Sequence, residues 1–437
     1  MTRLRTWHGL LLLACASVAL GQTNLLPNPS FEKPDSGKPA DWELSGDKKK
    51  GGKWEQTGRT GSASVSVTGN GEDHSYWLCK KVRLRRGRVY RFSFFAKTVG
   101  PQEGGCVISG ADFANRDFRP GDKWERQTFM FAPPRKTKGA FMRVGHWHRK
   151  GTVMFDDVEL TEATPVYQRK GDLVLGSGER VKGKRYTFVV PFGSVDGNYC
   201  RCLAEHTTGF NSSRWVYSGL DHVIYQHQVG KIAQTSGKAK VRIGWHEGGV
   251  CVVDASKDRR LWTEIGRIAE VKEDAFDLPA DLFPAECIYL RLRSIKGDDK
   301  KAAALQVHAY TYEAELAADA GELVGGSRYI DVETTDMRLA VEIESLGAMK
   351  AGDNKLVLVA DNKLGRPAAV AAVAKIFPEG NPLDETETRQ EVQIDGLKQA
   401  RIEIPYKLAD KGEYKLRIVI GSDERTLYDA TALIELK

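Results

Sequence analysis

Apolar and polar residues alternate with a period of two along most of this chain. In residues 90–96 every second side chain is apolar, which is the pattern of a strand with one buried face and one face in water. Turn clusters such as Gly69-Asn70-Gly71 separate these segments. Helix is suggested at only two places, residues 316–322 and a short turn at 280–283. Similar alternation recurs at residues 127–131, 153–160, 186–190, 240–243, 288–293, 355–359, 400–404 and 414–420. The pattern predicts an all-β protein built from tandem β-sandwiches.

The chain has 437 residues, more than one hydrophobic core usually organises, so several domains are expected. We expect a jelly roll in residues 22–165, a second sandwich in residues 170–315 and an immunoglobulin-like sandwich in residues 327–437. Thr164-Pro165 has the composition of a linker. Residues 313–326, rich in Ala, Glu and Gly, have that of a connector.

Residues 1–21 have the layout of a secretory signal peptide. Arg3 and Arg5 precede an apolar run from Leu10 to Leu20 that ends among small residues. We therefore expect a secreted, periplasmic or cell-surface protein, with a lipoprotein anchored at Cys15 as the alternative. The run is shorter than a membrane-spanning helix needs, and no later stretch comes close, so no membrane span is expected.

Charge and cysteine usage exclude only a few classes of binding partner. Lys plus Arg number 65 against 58 for Asp plus Glu, and the basic residues are scattered rather than arranged in a stripe. Nucleic acid is therefore not an expected partner. Six cysteines follow the predicted cleavage site, a number that permits disulfides in an exported protein. Their spacing lacks the C-x-x-C pairs of a zinc site.

The N-terminal third carries motifs of a known module type. Residues 24–42, NLLPNPSFEKPDSGKPADW, resemble the opening of the jelly-roll carbohydrate-binding modules of families 4, 9 and 22. Segments like those of the same modules follow in order at residues 58–65, 90–97, 124–129 and 155–160. The resemblance covers residues 22–162 and implies a galactose-binding-like jelly roll that binds a polysaccharide or oligosaccharide. In the middle of the chain, residues 253–262 and 285–293 resemble the central strands of discoidin-type sandwiches.

Two carboxylates from opposite ends of the first domain are candidate calcium ligands. Glu32 and Asp157 come together if the first and last strands pair, and modules of this type often hold a structural calcium at this place. The resemblance implies Glu32 and Asp157 as ligands, with Asp156 as a weaker candidate. The alternative is a solvated pair of carboxylates.

Sugar recognition needs flat apolar rings for the C–H faces and polar groups for the hydroxyls. Most aromatic residues of a sandwich belong to its core. The rings that we expect to be exposed and to bind sugar, because each lies beside Gly, Asp, Asn or His in poorly periodic sequence, are Tyr76, Trp77, Phe113 and Trp147. The polar candidates of the neighbouring loop are Asp112, Asn115, Arg116 and Asp117.

Three functions follow from these observations. The chain lacks the G-x-S-x-G, H-E-x-x-H, phosphate-loop and dinucleotide motifs, which favours a secreted, noncatalytic carbohydrate-binding protein. A glycoside hydrolase or lyase with its site in the middle block is an alternative, because its two carboxylates need not be close in sequence. It would show a close carboxylate pair, one with a raised pKa. A structural or adhesion protein of the cell envelope is the other alternative, and it would show large exposed apolar patches.

Overall fold

The computed structural model describes residues 24–47, 51–136, 139–297, 302–378, 384–409, 411–422 and 425–436. The predicted signal peptide and Cys15 lie outside these residues. Strands form nearly all of the regular structure, and they pair into several sheets that pack as sandwiches. The predicted all-β class with tandem sandwiches is therefore confirmed.

The described residues of the N-terminal sandwich form twelve strands. They are β1 (Pro34–Asp35), β2 (Lys38–Pro39), β3 (Glu43–Gly46), β4 (Gly52–Glu55), β5 (Ser64–Asn70), β6 (His74–Cys79), β7 (Val89–Glu103), β8 (Cys106–Ala111), β9 (Ala114–Phe118), β10 (Glu125–Phe131), β11 (Met142–Trp147) and β12 (Lys150–Lys170). The front sheet has the order β3-β6-β11-β8-β9, and the back sheet has the order β4-β5-β12-β7-β10.

The middle sandwich follows. Its strands are β13 (Leu173–Leu175), β14 (Glu179–Lys182), β15 (Arg185–Val189), β16 (Leu203–His206), β17 (Gly209–Asn211), β18 (Arg214–Ser218), β19 (His222–Gln228), β20 (Gln234–Gly248), β21 (Val250–Ser256), β22 (Thr263–Ile268), β23 (Glu273–Asp277), β24 (Cys287–Ile295), β25 (Ala304–Leu316) and β26 (Glu322–Val324). A 3-10 helix spans Ala280–Leu282, where the sequence predicts a short helical turn. One sheet has the order β16-β19-β24-β21-β22, and β25 lies at the centre of the other.

The C-terminal sandwich has its own core. Its strands are β27 (Ser327–Thr335), β28 (Leu339–Ser345), β29 (Gly352–Asn362), β30 (Ala368–Pro378), β31 (Thr386–Ile394), β32 (Gln399–Leu408), β33 (Gly412–Ser422) and β34 (Arg425–Leu436). A sheet of three strands, β28-β29-β32, packs on the sheet β27-β34-β33-β30-β31. Its buried side chains form a cluster separate from the one that the N-terminal and middle sandwiches share.

Strand β7 shows why the alternating segments become strands of a sandwich. Tyr90, Phe92 and Phe94 are almost completely buried between the two sheets. Arg91 and Phe95, from the intervening positions, are only partly buried on the outer face. Burial of a large apolar side chain contributes about 1.5–3 kcal/mol, so a register slip of one residue would expose the aromatic core and is strongly disfavoured.

The sandwiches are joined by continuous sheets. Strand β9 pairs in parallel with β17, which extends the front sheet of the N-terminal sandwich into the middle sandwich. Strand β12 continues past the back sheet and pairs with β27 from Glu162 to Tyr167. Thr164 and Pro165 therefore lie inside a strand, and the prediction of a linker there is wrong. The limits given above for the three domains stay predictions.

The predicted helix at residues 316–322 is also wrong. Leu316 ends β25, and residues 317–321 form neither helix nor strand. The backbone N–H of Ala317 donates to the carbonyl of Ala233, and that of Ala320 donates to the carbonyl of Gly183. These long-range hydrogen bonds override the helix-favouring composition. Within the described residues, no helix has the length and apolar character needed to cross a bilayer.

Candidate functional site

A pocket of about 260 Å³ lies on the outer face of the front sheet, where the N-terminal and middle sandwiches meet. Strand register places Tyr76, Gly145, Ile108 and Asp117 in one row across β6, β11, β8 and β9. A Cβ atom on Gly145 would lie 2.3 Å from both the Cβ of Tyr76 and the backbone oxygen of Ser75, so a larger residue there would clash with β6. The lining residues are His74, Tyr76, Ile108, Asn115, Asp117, Arg143, Trp147, Asn211 and Arg214.

One side of the pocket is an aromatic wall, formed by Tyr76, His74 and Trp147. The ring centroids of His74 and Tyr76 are 5.8 Å apart, and those of His74 and Trp147 are 5.3 Å apart, all nearly parallel. Trp147 also stacks on His148 at 4.5 Å, and 45% of its surface is exposed. These contacts hold the rings in place before any ligand arrives, so binding costs little side-chain entropy.

The other side is a polar wall, formed by Asn115, Asp117, Asn211 and Arg214. The parallel pairing of β9 with β17 sets Asn115 directly beside Asn211. Asn115 is only 7% exposed, and its side-chain oxygen has no hydrogen-bond partner within the described part of the chain. A buried acceptor without a partner is costly, by about 1–3 kcal/mol, unless a ligand or water donates to it.

Arg143 lies between the two walls. Its guanidinium carbon is 5.1 Å from the centre of the Tyr76 ring, a cation–π distance. Its Nε atom is buried and, among the described residues, unpartnered. Burial lowers the pKa of Arg143, while the neighbouring Tyr76, Asp112 and Asp117 act in the opposite direction. The pocket therefore contains a cation that is partly withdrawn from water.

The predicted sugar-binding residues divide into two groups. Tyr76, Trp147, Asn115 and Asp117 line the pocket together. Trp77 does not, and the expectation that it is exposed is wrong: it is 4% exposed and its indole N–H donates to the carbonyl of Ser66 at 3.0 Å. Because side chains alternate across β6, Tyr76 on the outer face sends Trp77 into the core.

The other predicted residues serve the surroundings of the pocket. Phe113 is half-buried and packs on Phe131, with ring centroids 5.8 Å apart. Arg116 donates to the carbonyls of Gly193 and Ser194, so it fastens the middle sandwich to the N-terminal one. Asp112 lies between β8 and β9, outside the pocket lining. A role for these side chains in sugar binding stays a prediction.

Sequence reasoning missed five of the nine described lining residues. His74 could have been found, because it is two residues from Tyr76 on an alternating strand and must share its face. Arg143 could likewise have been placed on the face of Trp147, four residues later on β11. Asn211 and Arg214 had no local pattern to mark them, since they reach the pocket only through the β9–β17 pairing.

The outer face of the front sheet continues beyond the pocket. The Nε of Arg214 donates to the side-chain oxygen of Gln306 at 2.8 Å, and the same oxygen is 3.3 Å from Nε2 of His308. Trp245, which is 37% exposed, lies directly opposite Gln306 in the β20–β25 pairing. A second exposed ring therefore lies on this sheet, four strands beyond β9.

A larger groove of about 800 Å³ runs between the back sheet and the C-terminal sandwich. Six of its charged groups form three ion pairs: Arg91 with Asp331, Arg126 with Glu159, and Arg59 with Asp157. The first pair joins the N-terminal sandwich to the C-terminal one, and the other two lie within the N-terminal sandwich. The groove is larger than the pocket, but it offers no comparable unpartnered group among the described residues.

The three candidate calcium ligands do come close to one another, and protein donors occupy their oxygens. Glu32 accepts from the backbone N–H groups of Ser62 and Ala63. Asp157 accepts from Arg59 at 2.7 Å, and Asp156 accepts from the backbone N–H of Arg59 at 2.6 Å. Asp157 has a φ of 48° at an irregularity in the β7–β12 ladder, which turns its side chain toward these donors.

This arrangement does not fit a calcium ion, because a calcium cage needs free oxygen ligands and a guanidinium already supplies the positive charge. In the described ranges, no group of three or more His, Cys, Asp or Glu side chains is arranged so that it could hold a metal ion. Calcium binding stays a prediction that these contacts do not favour. The six cysteines of the described chain likewise form no disulfide with one another.

The acids of this cluster titrate differently. Burial and the neighbouring Asp157 raise the pKa of Asp156 to about 6. Burial acts in the same direction on Asp157, but hydrogen bonds from Thr60, Ser30 and Arg59 outweigh it and lower the pKa of Asp157. The same balance lowers the pKa of Glu32. The cluster therefore combines two stabilised carboxylates with one that is costly to ionise.

Comparison with known proteins gives a limited result. No family model and no curated protein matches the chain. The chain is similar to a tandem carbohydrate-binding module. This is the N-terminal CBM22-1-CBM22-2 tandem domain from Paenibacillus barcinonensis Xyn10C, with 11% identity and a TM-score of 0.27 over 68% of this chain and 100% of that one. Family 22 is one of the three families whose modules the motifs of residues 22–162 resemble.

Two β-glucuronidases are also similar to parts of the chain. One belongs to glycoside hydrolase family 2, with 9% identity and a TM-score of 0.21 over 50% of this chain and 24% of the enzyme. The other is from Bacteroides uniformis, with 10% identity and a TM-score of 0.18 over 51% of this chain and 27% of the enzyme. The chain thus spans about a quarter of these enzymes, and the function proposed below rests on the residues of the pocket.

Proposed function

We propose that this protein binds a carbohydrate in the pocket between the aromatic wall and the polar wall, and that it does so without cleaving the ligand. The observation that carries the proposal is that Tyr76 and Trp147, each stacked on His74, lie across one small pocket from the unpartnered side-chain oxygen of Asn115. A pyranose has both complementary surfaces, an apolar C–H face and donor hydroxyls. The signal-peptide-like residues 1–21 support a site of action outside the cytoplasm.

The chemistry of the pocket favours binding over hydrolysis. Glycoside hydrolysis uses a pair of carboxylates, whereas Asp117 is the single carboxylate among the described lining residues. The buried carboxylates of the middle sandwich are already engaged: Glu179 with Arg201, Asp254 with Arg291, and Asp196 with Ser194. Such contacts hold structure and leave no free acid–base pair among these three.

Affinity gel electrophoresis of the mature chain against a panel of soluble polysaccharides tests the proposal. At least one polysaccharide should retard migration, and Tyr76→Ala should reduce that retardation about tenfold, because a ring contact contributes roughly 1 kcal/mol and the truncation also frees Arg143. Trp124→Ala is the matched control, since Trp124 is a partly exposed ring on the other side of the same sandwich, stacked under Lys97.

The control variant should migrate like the parent protein in every gel. Thermal unfolding of all three proteins confirms that the variants are folded. Absence of retardation by the whole panel, or equal losses in Tyr76→Ala and Trp124→Ala, would overturn the proposal.

A further inference from the structure

The guanidinium of Arg143 has no anionic partner in the pocket. Asp112 and Asp117 are close enough to influence it, but within the described part of the chain neither forms an ion pair with it. The side chain is held by the rings of Tyr76 and Phe141, 5.1 and 5.9 Å from its central carbon. A cation withdrawn from water in this way is stabilised most by an anion that completes its hydrogen bonds.

Arg214 brings a second cation to the same pocket from the middle sandwich. Its Nε atom donates to Gln306, a neutral amide, so its charge is not cancelled there. After burial, Arg214 and Arg242 are the groups that lower the pKa of His308, as expected in a positive local field. Two guanidinium groups therefore face one carboxylate, Asp117, among the described lining residues.

Other buried or half-buried arginines of this chain have protein partners for their guanidinium groups. Arg201 binds the buried Glu179 through two nitrogen atoms, and Arg417 binds Asp429 in the same manner. Arg149, which is 7% exposed, instead donates to the side-chain oxygen of Gln102. Arg143 differs from these three, because its buried Nε atom has no hydrogen-bond partner among the described residues.

We propose that the ligand is an acidic saccharide whose anionic group binds between Arg143 and Arg214. This inference rests on the proposed carbohydrate binding and adds the charge of the ligand. A uronate carboxylate and a sulfate ester share the required chemistry, oxyanions that accept paired N–H donors. A hydroxyl of the same sugar then donates to the side-chain oxygen of Asn115, and its apolar face packs on the aromatic wall.

Matched polysaccharides that differ only in charge test the inference on the mature chain at physiological ionic strength. One pair is polygalacturonate and its methyl ester, and the other is a sulfated galactan and its desulfated form. We expect the acidic member of at least one pair to bind about tenfold or more tightly than its neutral counterpart, the effect of a charged hydrogen bond. The pair that shows the preference identifies carboxylate or sulfate.

Charge-neutral variants locate the effect. Arg143→Met and Arg214→Met should each remove most of the preference for the acidic member while retaining binding to the neutral one. Arg180→Met is the control, because it removes the same charge from an exposed arginine paired with Glu322 on the edge of the middle sandwich. It should leave the preference unchanged. If Arg143→Met fails to fold, Arg214→Met alone decides the test, because the side chain of Arg214 is not part of the aromatic wall.

The outcomes separate the two proposals. Equal binding of acidic and neutral members overturns the charge inference and leaves carbohydrate binding intact. Absence of binding to every polysaccharide overturns carbohydrate binding, and the charge inference with it. Polyglutamate that binds as tightly as the acidic polysaccharide, or a preference lost equally in Arg180→Met, also overturns the charge inference, because attraction is then a general effect of net charge.

Discussion

Replacing Trp147 with alanine should weaken carbohydrate binding and leave the fold intact. Replacing Trp77 with alanine should instead lower the stability of the fold. The two tryptophans lie on the neighbouring strands β11 and β6 but on opposite faces of the front sheet. Trp147 is 45% exposed, so its loss should cost less than about 1 kcal/mol of stability. It removes a ring from the aromatic wall, and affinity should fall about tenfold.

Trp77 gives the opposite expectation because its side chain is 4% exposed and its indole N–H is bonded to Ser66. Truncation leaves a cavity in the core of the N-terminal sandwich and an unpaired carbonyl. The cost is about 3–5 kcal/mol for a buried large aromatic residue. Since 1 kcal/mol shifts the melting temperature of a unit this size by about 2–4 °C, a fall on the order of 10 °C is expected.

Both variants are measured in the same two assays, thermal unfolding by circular dichroism and affinity gel electrophoresis with the polysaccharide that binds the parent protein. Folded Trp77→Ala, examined well below its melting temperature, should retain most of its affinity. Two results would refute the reasoning. One is a melting temperature for Trp147→Ala as low as that of Trp77→Ala, and the other is unchanged affinity in Trp147→Ala.

Three further predictions follow from the structure. The pKa of Asp156 is raised from 3.8 to about 6, so its contribution to stability is present below pH 3.8 and about 3 kcal/mol is lost as the pH rises through 6. The free energy of unfolding of Asp156→Asn, measured with urea, should therefore rise relative to that of the parent protein between pH 4 and 7. A difference between the two proteins that does not change with pH would contradict this. Calcium or a chelator should leave the melting temperature unchanged, because Arg59 already supplies the cation; a rise of several degrees with millimolar calcium would count against the Arg59 contacts. Trp245→Ala should weaken binding of long oligosaccharides and spare short ones in isothermal titration calorimetry, and equal losses for both would exclude an extended surface.

The sequence predicts the class of fold well because the signal for a strand is local. In β7 the alternation alone shows which side chains enter the core, and the structure buries Tyr90, Phe92 and Phe94 as expected. The linker at Thr164-Pro165 was mispredicted for a physical reason. The pairing of β12 with β7 stops at Ala163, so at Pro165 β12 pairs only with β27. A missing backbone N–H is tolerated there.

The site was predicted in part, and the division has a cause. Alternation on β6 shows that Tyr76 and Trp77 face opposite sides, but it does not show which side is the core. That choice depends on the back sheet, which β6 meets only in the folded chain. Asn211 and Arg214 lie almost a hundred residues from Asn115 and are brought to it by a parallel strand pairing. Residue patterns within one strand carry no information about that contact.

A fragment that ends at residue 165 should bind carbohydrate more weakly and melt at a lower temperature than the whole chain. It would lack half of the polar wall, and it would expose the edge of β9 that pairs with β17. It would also lose the hydrogen bonds from the backbone of Met130 to Val195 and from Ala132 to the side chain of Asn198.

Two measurements separate these effects in the fragment and in full-length Asn211→Ala. The full-length variant should lose affinity without losing stability, whereas the fragment should lose both and self-associate in size-exclusion chromatography. A fragment that matches the whole chain in affinity and melting temperature would contradict a shared pocket. The binding unit would then be the N-terminal sandwich alone, and the joined sheets would serve only to hold the three sandwiches together.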